Sequence, residues 1–175
     1  ILYRTSEPFW ELIESGLEQI SADVPTVSIG HDPSSWAKSS VPPEVVMKSQ
    51  QYVAIGGKDN FANLLRYLAN EVCKLEVSYE GPKELPWHGI YHPDAPGVFG
   101  DIREYLEWYQ HKGEAFVGIL FSRFYWANRN CEIEDALIRE LEAAGLGAIA
   151  AFSNAADDNE IGAKGASWVL EKCFL

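Results

Sequence analysis

Apolar residues at spacings of three and four alternate along this chain with short unbroken apolar runs, a pattern that predicts a mixture of helices and strands. Phe9, Leu12, Ile13, Leu17 and Ile20 share one face of a helix that starts at an N-capping Ser6 and runs to about residue 22. A short strand at 1–5 precedes it, and a second at 24–29 follows. Turn residues at 30–35 lead into two helices, 42–53 and 59–75, separated by Gly56 and Gly57.

Residues 76–87 carry Gly81, Pro82 and Pro86 and read as a connector, dividing the chain into 1–85 and 86–175. Beyond it lies a brief strand at 89–92. Pro93 and Pro96 make 92–97 a loop, and a helix at 101–111 places Ile102, Tyr105, Leu106 and Tyr109 on one side. The clearest unit comes last: an apolar run at 115–121, a helix at 131–144 stopped by Gly145, and a second apolar run at 148–152. Strand, helix, strand in that order implies a parallel crossover. Ile133, Ala136, Leu137, Leu141 and Ala144 are its expected buried stripe. The expected fold class is therefore α/β, with parallel flavodoxin-like or Rossmann-like βαβ elements and a helical insertion near 42–75. A start at Ile1 and a stop inside a helical pattern read as an excised piece, truncated after its last βαβ unit.

Composition narrows the function. With 47% apolar residues the chain can build a core, and a formal charge of -12 opposes binding to a phosphate backbone, so no nucleic-acid partner is expected. No apolar run approaches the roughly 18 residues that cross a bilayer, nor is there a secretory leader, so a cytoplasmic protein without a membrane span is expected. Cys73, Cys131 and Cys173 lie far apart, and His31, His88, His92 and His111 are dispersed, which predicts reduced thiols and no bound structural metal. There is no G-x-x-x-x-G-K-[ST] loop, and 162–167 lacks the spacing that wraps backbone N–H groups around phosphates. ATP hydrolysis would have to come from another chain.

Two places carry candidate binding chemistry. His92 follows a strand, where α/β proteins place ligand-contacting loops, although a helix-start or turn role fits it equally. Residues 122–130 follow another strand and combine Arg123 and Arg129 with Tyr125 and Trp126, a lining suited to a flat, anionic, conjugated ligand. The competing reading is a loop whose aromatics pack under neighbouring helices. Ser153 and Asn154, at the end of the next strand, would lie beside this segment in a parallel sheet.

At these residues the chain resembles a known family. The stretch from Gly89 through His92-Pro93-Asp94-Ala95-Pro96 to Phe99, followed by Tyr105-Leu106-Glu107-Trp108, is similar to the large subunit of magnesium chelatase. Val117-Gly118-Ile119-Leu120-Phe121-Ser122-Arg123, with the helix from Ile133 and Leu141-Glu142-Ala143-Ala144-Gly145, resembles both that protein and the cobaltochelatase large subunit. Ser40-Val41-Pro42-Pro43-Glu44 and the Gly-Gly-Lys-Asp-Asn stretch at 56–60 lean toward cobaltochelatase. The resemblance implies a large subunit that binds a tetrapyrrole, corrin or porphyrin, and inserts cobalt or magnesium as substrate metal, while AAA+ partners hydrolyse the ATP. It implies that the tetrapyrrole's carboxylates meet Arg123 or Arg129, that its face meets Tyr125 or Trp126, and that His92 shapes the pocket. Two alternatives remain at this point: a docking region for the AAA+ partners, and a relative specialised for another metal or for metal removal.

Overall fold

The computed structural model describes residues 16, 19–20, 23–30, 33–110 and 115–175. The chain divides into two compact units, Ile1–Glu84 and Leu85–Leu175. The strand expected at 1–5 lies outside the described residues. Of the helix expected to end near 22 only isolated positions are described, and Gly16, Gln19 and Ile20 are helical.

In the first unit a 3-10 turn, Pro33–Lys38, precedes helices α1 (Pro43–Ile55) and α2 (Lys58–Glu71). Pro43 opens α1, where its missing N–H costs nothing, and Gly56 and Gly57 separate the helices at φ of +72° and +94°, angles that favour glycine. Val45, Tyr52, Leu64 and Tyr67 close on Val27 and Ile29 to form the core. The segment 24–29 is not the expected strand: only Ser28 is in a bridge. The connector has no ladder of its own, and asparagines on α2 satisfy its backbone. Asn60 exchanges two bonds of 2.9 Å with Lys83, Asn63 accepts from Glu80 N, and Asn70 donates to Val77 O.

The second unit runs β1 (Gly89–Tyr91), α3 (Ile102–Tyr109), β2 (Phe116–Ser122), α4 (Arg123–Ala127), α5 (Glu132–Ala143), β3 (Gly147–Ser153) and α6 (Ala166–Val169), which passes into a π-turn, Leu170–Phe174. Strand order is β1-β3-β2. β2 and β3 are parallel, from Phe116 opposite Gly147 to Ser122 opposite Ser153, as a strand-helix-strand crossover demands. β1, for which the sequence predicts no direction, pairs antiparallel to β3, Gly89 opposite Phe152 and Tyr91 opposite Ala150, so the sheet is mixed and the flavodoxin-like arrangement holds only for the β2–β3 pair. Three residues long, it carries no trace of its direction in its composition.

Alternate residues of the fully buried β3 serve opposite layers. Ala148, Ala150 and Phe152 pack with Cys131, Ile138 and Leu141 around α5, whereas Ile149 and Ala151 pack with Tyr105 of α3, Val169 of α6 and Cys173 beyond it. Asp101 caps α3, Gln110 ends it at φ +49°, and Gly145 stops α5 at φ +79°. The buried face of α5 is a second correction. Ile133 is 74% and Leu137 47% exposed, and Ala136 and Ala144 are exposed too, while Ile138 and Glu134 are buried. Polar contacts set this rotation: Asp135 accepts from Tyr91 Oη at 2.7 Å and Glu142 from His92, so the acidic side of the helix turns toward β1.

Candidate functional site

Because β2 and β3 are parallel and in register, their last residues, Ser122 and Ser153, end side by side. The chain leaves β2 toward α5 on one face of the sheet and leaves β3 toward α6 on the other. Such a reversal opens a crevice at the carboxyl ends of the strands, the usual ligand position in open α/β sheets. A cavity of about 260 Å³ occupies it, lined by Leu120, Phe121, Ser122, Ser153, Asn154, Ala155 and Ala166. The loop 154–165 is folded back against it, with Asn154 N donating to Lys164 O and Gly165 N donating to Asp157 Oδ1 at 2.6 Å. A Cβ at Gly165 would lie 2.8 Å from the backbone of Ala156, so this approach requires glycine.

The expected binding segment is a short helix rather than a loop. Ser122 Oγ accepts from Phe124 N and starts α4, so the side chains that follow diverge. Arg123 turns inward and is 7% exposed; Nε donates to Pro86 O at 2.8 Å and the guanidinium lies 3.9 Å above the Trp87 ring. Trp126 stacks on Phe152 at 4.4 Å with its ring nearly parallel. Tyr125 and Phe124, 44% and 64% exposed, face outward, and Arg129 is exposed on a left-handed turn at φ +56°. Ser153 is buried and lines the cavity, its Oγ donating to Asn154 O.

His92 lies elsewhere. Since β1 runs antiparallel, its carboxyl end points to the edge of the sheet opposite Ser122 and Ser153. There His92 is 4% exposed, its ring packed on Trp108 and Tyr109. Nδ1 accepts from Asp94 N at 3.2 Å, which leaves Nε2 to donate to Glu142 Oε1 at 3.1 Å. Arg139 bridges Glu142 and Asp94 and closes the ring of contacts. Burial pushes the Glu142 carboxyl up, but hydrogen bonds from His92, Tyr109 and Arg139 outweigh it and hold the group below the usual range. Both imidazole nitrogens are engaged, so this histidine fastens the 92–97 loop to α5.

Reversing β1 brings a different histidine to the crevice edge. His88 precedes Gly89, which pairs with Phe152, and so lies at the end of the sheet where Ser153 leaves it. Its ring meets Trp168 at 4.5 Å, and its buried Nδ1 has no hydrogen-bond partner among the described residues. Burial, then the charge of Lys164, lowers its pKa and favours the neutral ring, an effect partly offset by the charge of Asp157. Only the strand direction identifies it, and spacing along the chain does not encode that. Among the described residues no group of three or more His, Cys, Asp or Glu side chains is placed to hold a metal ion, and no helix is long and apolar enough to cross a membrane.

Comparison with known proteins bears on this site. The sequence profile described as CobN/Magnesium Chelatase matches residues 50–175. An uncharacterized protein of Methanocaldococcus jannaschii is 32% identical over 86% of this chain and 12% of its own length. A magnesium-chelatase subunit of Rhodobacter capsulatus is 32% identical over 61% of this chain and 9% of its own. The solved catalytic subunit of cobaltochelatase from Mycobacterium tuberculosis superposes with a TM-score of 0.62 over 88% of this chain and 13% of that one; at 20% identity the likeness is one of fold. The chain thus spans roughly a tenth of the length of these proteins.

Proposed function

The chain belongs to the CobN/magnesium chelatase family, and from that premise we propose that it forms part of the tetrapyrrole-binding large subunit of a metal chelatase. That subunit inserts cobalt or magnesium, as substrate metal, into a corrin or porphyrin ring, and separate AAA+ partners hydrolyse the ATP that drives insertion. The observation that carries the reading is the family match over 50–175, which contains the whole crevice at the ends of β2 and β3.

In this reading Tyr125 offers an aromatic face to the macrocycle and Arg129 a cation to its carboxylates, both exposed on the segment that follows the crevice residue Ser122. Ser122 and Ser153 supply hydroxyl groups at its floor. Arg123 and Trp126, held by Trp87 and Phe152, keep α4 in place and so shape the site. His92 acts from the far edge by fixing its loop.

The test is a tryptophan-fluorescence titration of the complete subunit with a metal-free porphyrin and with a metal-free corrinoid acid. Saturable binding of one of them is expected, weakened by about 1–3 kcal/mol in Arg129→Ala, the value of one charge-assisted contact. Unchanged affinity in both Tyr125→Ala and Arg129→Ala would move the site away from α4. Binding of neither ligand would overturn the reading. The charge of -12 favours a second one, a docking region for the ATPase partners; its signature is salt-sensitive partner binding without tetrapyrrole affinity.

A further inference from the structure

β2 is the most apolar strand of the sheet, Phe116-Val117-Gly118-Ile119-Leu120-Phe121, yet among the described residues it stands at the edge. Its neighbour β3, with three alanines, is buried along its whole length. In β2, by contrast, Val117 is 37% and Leu120 42% exposed, and these two point to opposite faces of the sheet. A continuous apolar run is what a parallel strand carries when it is covered on both faces, and a bare edge of that composition is one that folded proteins protect. β2 carries no charged residue and no proline along its seven residues.

The connections say which way the sheet grows. α5 carries the chain from β2 to β3 over the face made by Ala148 and Ala150, and α6 leaves β3 over the opposite face, with Val169 and Cys173 against Ile149 and Ala151. Crossovers between parallel strands are right-handed, so a helix on the opposite face carries the chain in the opposite direction across the sheet. From β3 that direction leads back past β2. The π-turn after α6 already reaches over β2 in that direction: a Cβ on Gly118 would sit 2.9 Å from the Phe174 ring.

We infer that the outer edge of β2 receives a further parallel strand of the same polypeptide, supplied by chain that follows α6, and that the exposed side chains of β2 are interior residues of the complete subunit. Relatives whose length this chain matches for only 12–13% have ample polypeptide to provide it. The added strand would also extend the sheet edge at which the crevice opens. This inference is independent of which ligand, if any, the crevice holds.

Hydroxyl-radical footprinting of the complete, unmutated subunit tests it, read by mass spectrometry on the peptide containing β2. Expected is oxidation of Val117 and Leu120 as low as that of Ile149 and Phe152, and at least about tenfold below that in the unfolded protein, as for residues released only by unfolding. Oxidation of Val117 and Leu120 well above that of the β3 residues overturns the proposal. Protection that disappears on dilution, in step with dissociation of an oligomer by light scattering, also overturns it, because the occupant is then a second copy.

Discussion

Glu142 accepts a hydrogen bond from His92 Nε2 at 3.1 Å, a contact that joins a loop residue to a helix fifty residues later in the chain. The pair and Arg139 hold the 92–97 loop against α5 and turn the acidic side of that helix inward.

Glu142→Gln keeps the shape and removes the charge, and is expected to cost about 1–3 kcal/mol at neutral pH. The pH dependence follows from the lowered pKa of this carboxyl. A group whose folded-state pKa lies below its unfolded value contributes stability that is full above the unfolded value and is lost as pH falls through the folded one. Urea unfolding between neutral and acid pH should therefore show a shallower acid limb in the variant. Superimposable limbs would mean that the carboxyl is not held by these donors.

Arg123 has a structural task in its contacts with Pro86 and Trp87. Replacement by Lys keeps the charge and loses the planar donor, so a loss of about 1–3 kcal/mol in stability is expected. Tyr125→Ala, on an exposed side chain, should stay within about 0.5 kcal/mol. Thermal melts of the two variants check the contrast. If Arg123→Lys instead weakens tetrapyrrole binding at unchanged stability, the guanidinium belongs to the ligand site.

The rotation of α5 makes a prediction that spacing alone would reverse. Ile138, fully buried, should cost about 2–5 kcal/mol on truncation to Ala. Ile133, mostly exposed in this chain, should cost no more than about 0.5 kcal/mol. Denaturant unfolding of both variants ranks them, and the opposite order would restore Ile133 to the core.

Thiol chemistry should separate the three cysteines. Burial pushes the thiols of Cys131 and Cys173 up to about 11, whereas Cys73 is exposed. An aromatic disulfide reagent near neutral pH should titrate one thiol quickly and the others only after denaturation. Retention of the fast phase in Cys73→Ser would contradict this.

How far the sequence could be read depended on the range of the interactions involved. α1, α2 and α5 were legible because helical hydrogen bonds and glycine stops are local. β2 and β3 were legible as apolar runs, and their parallel pairing followed from the helix between them. The candidate residues came apart where long-range geometry decides: Ser153 stayed with the α4 segment because β2 and β3 share a direction, and His92 did not, because β1 runs the other way. His88, at the crevice edge, was seen in the sequence but had no spacing to single it out.

By itself the sequence determined α1, α2, α3 and α5, the parallel β2–β3 pair, the glycine at the end of α5 and the residues that carry the family likeness, all matters of neighbouring residues or of one connection. Only the tertiary structure decided which edge of the sheet each loop reaches and which side of α5 faces the core. The apolar arc from Ile133 to Leu141 is wide enough for either rotation, and the choice rests on Asp135 and Glu142 finding partners in a strand and loop more than forty residues earlier. A three-residue strand likewise takes its direction from the sheet it joins, since its few side chains fit a parallel or an antiparallel ladder equally well.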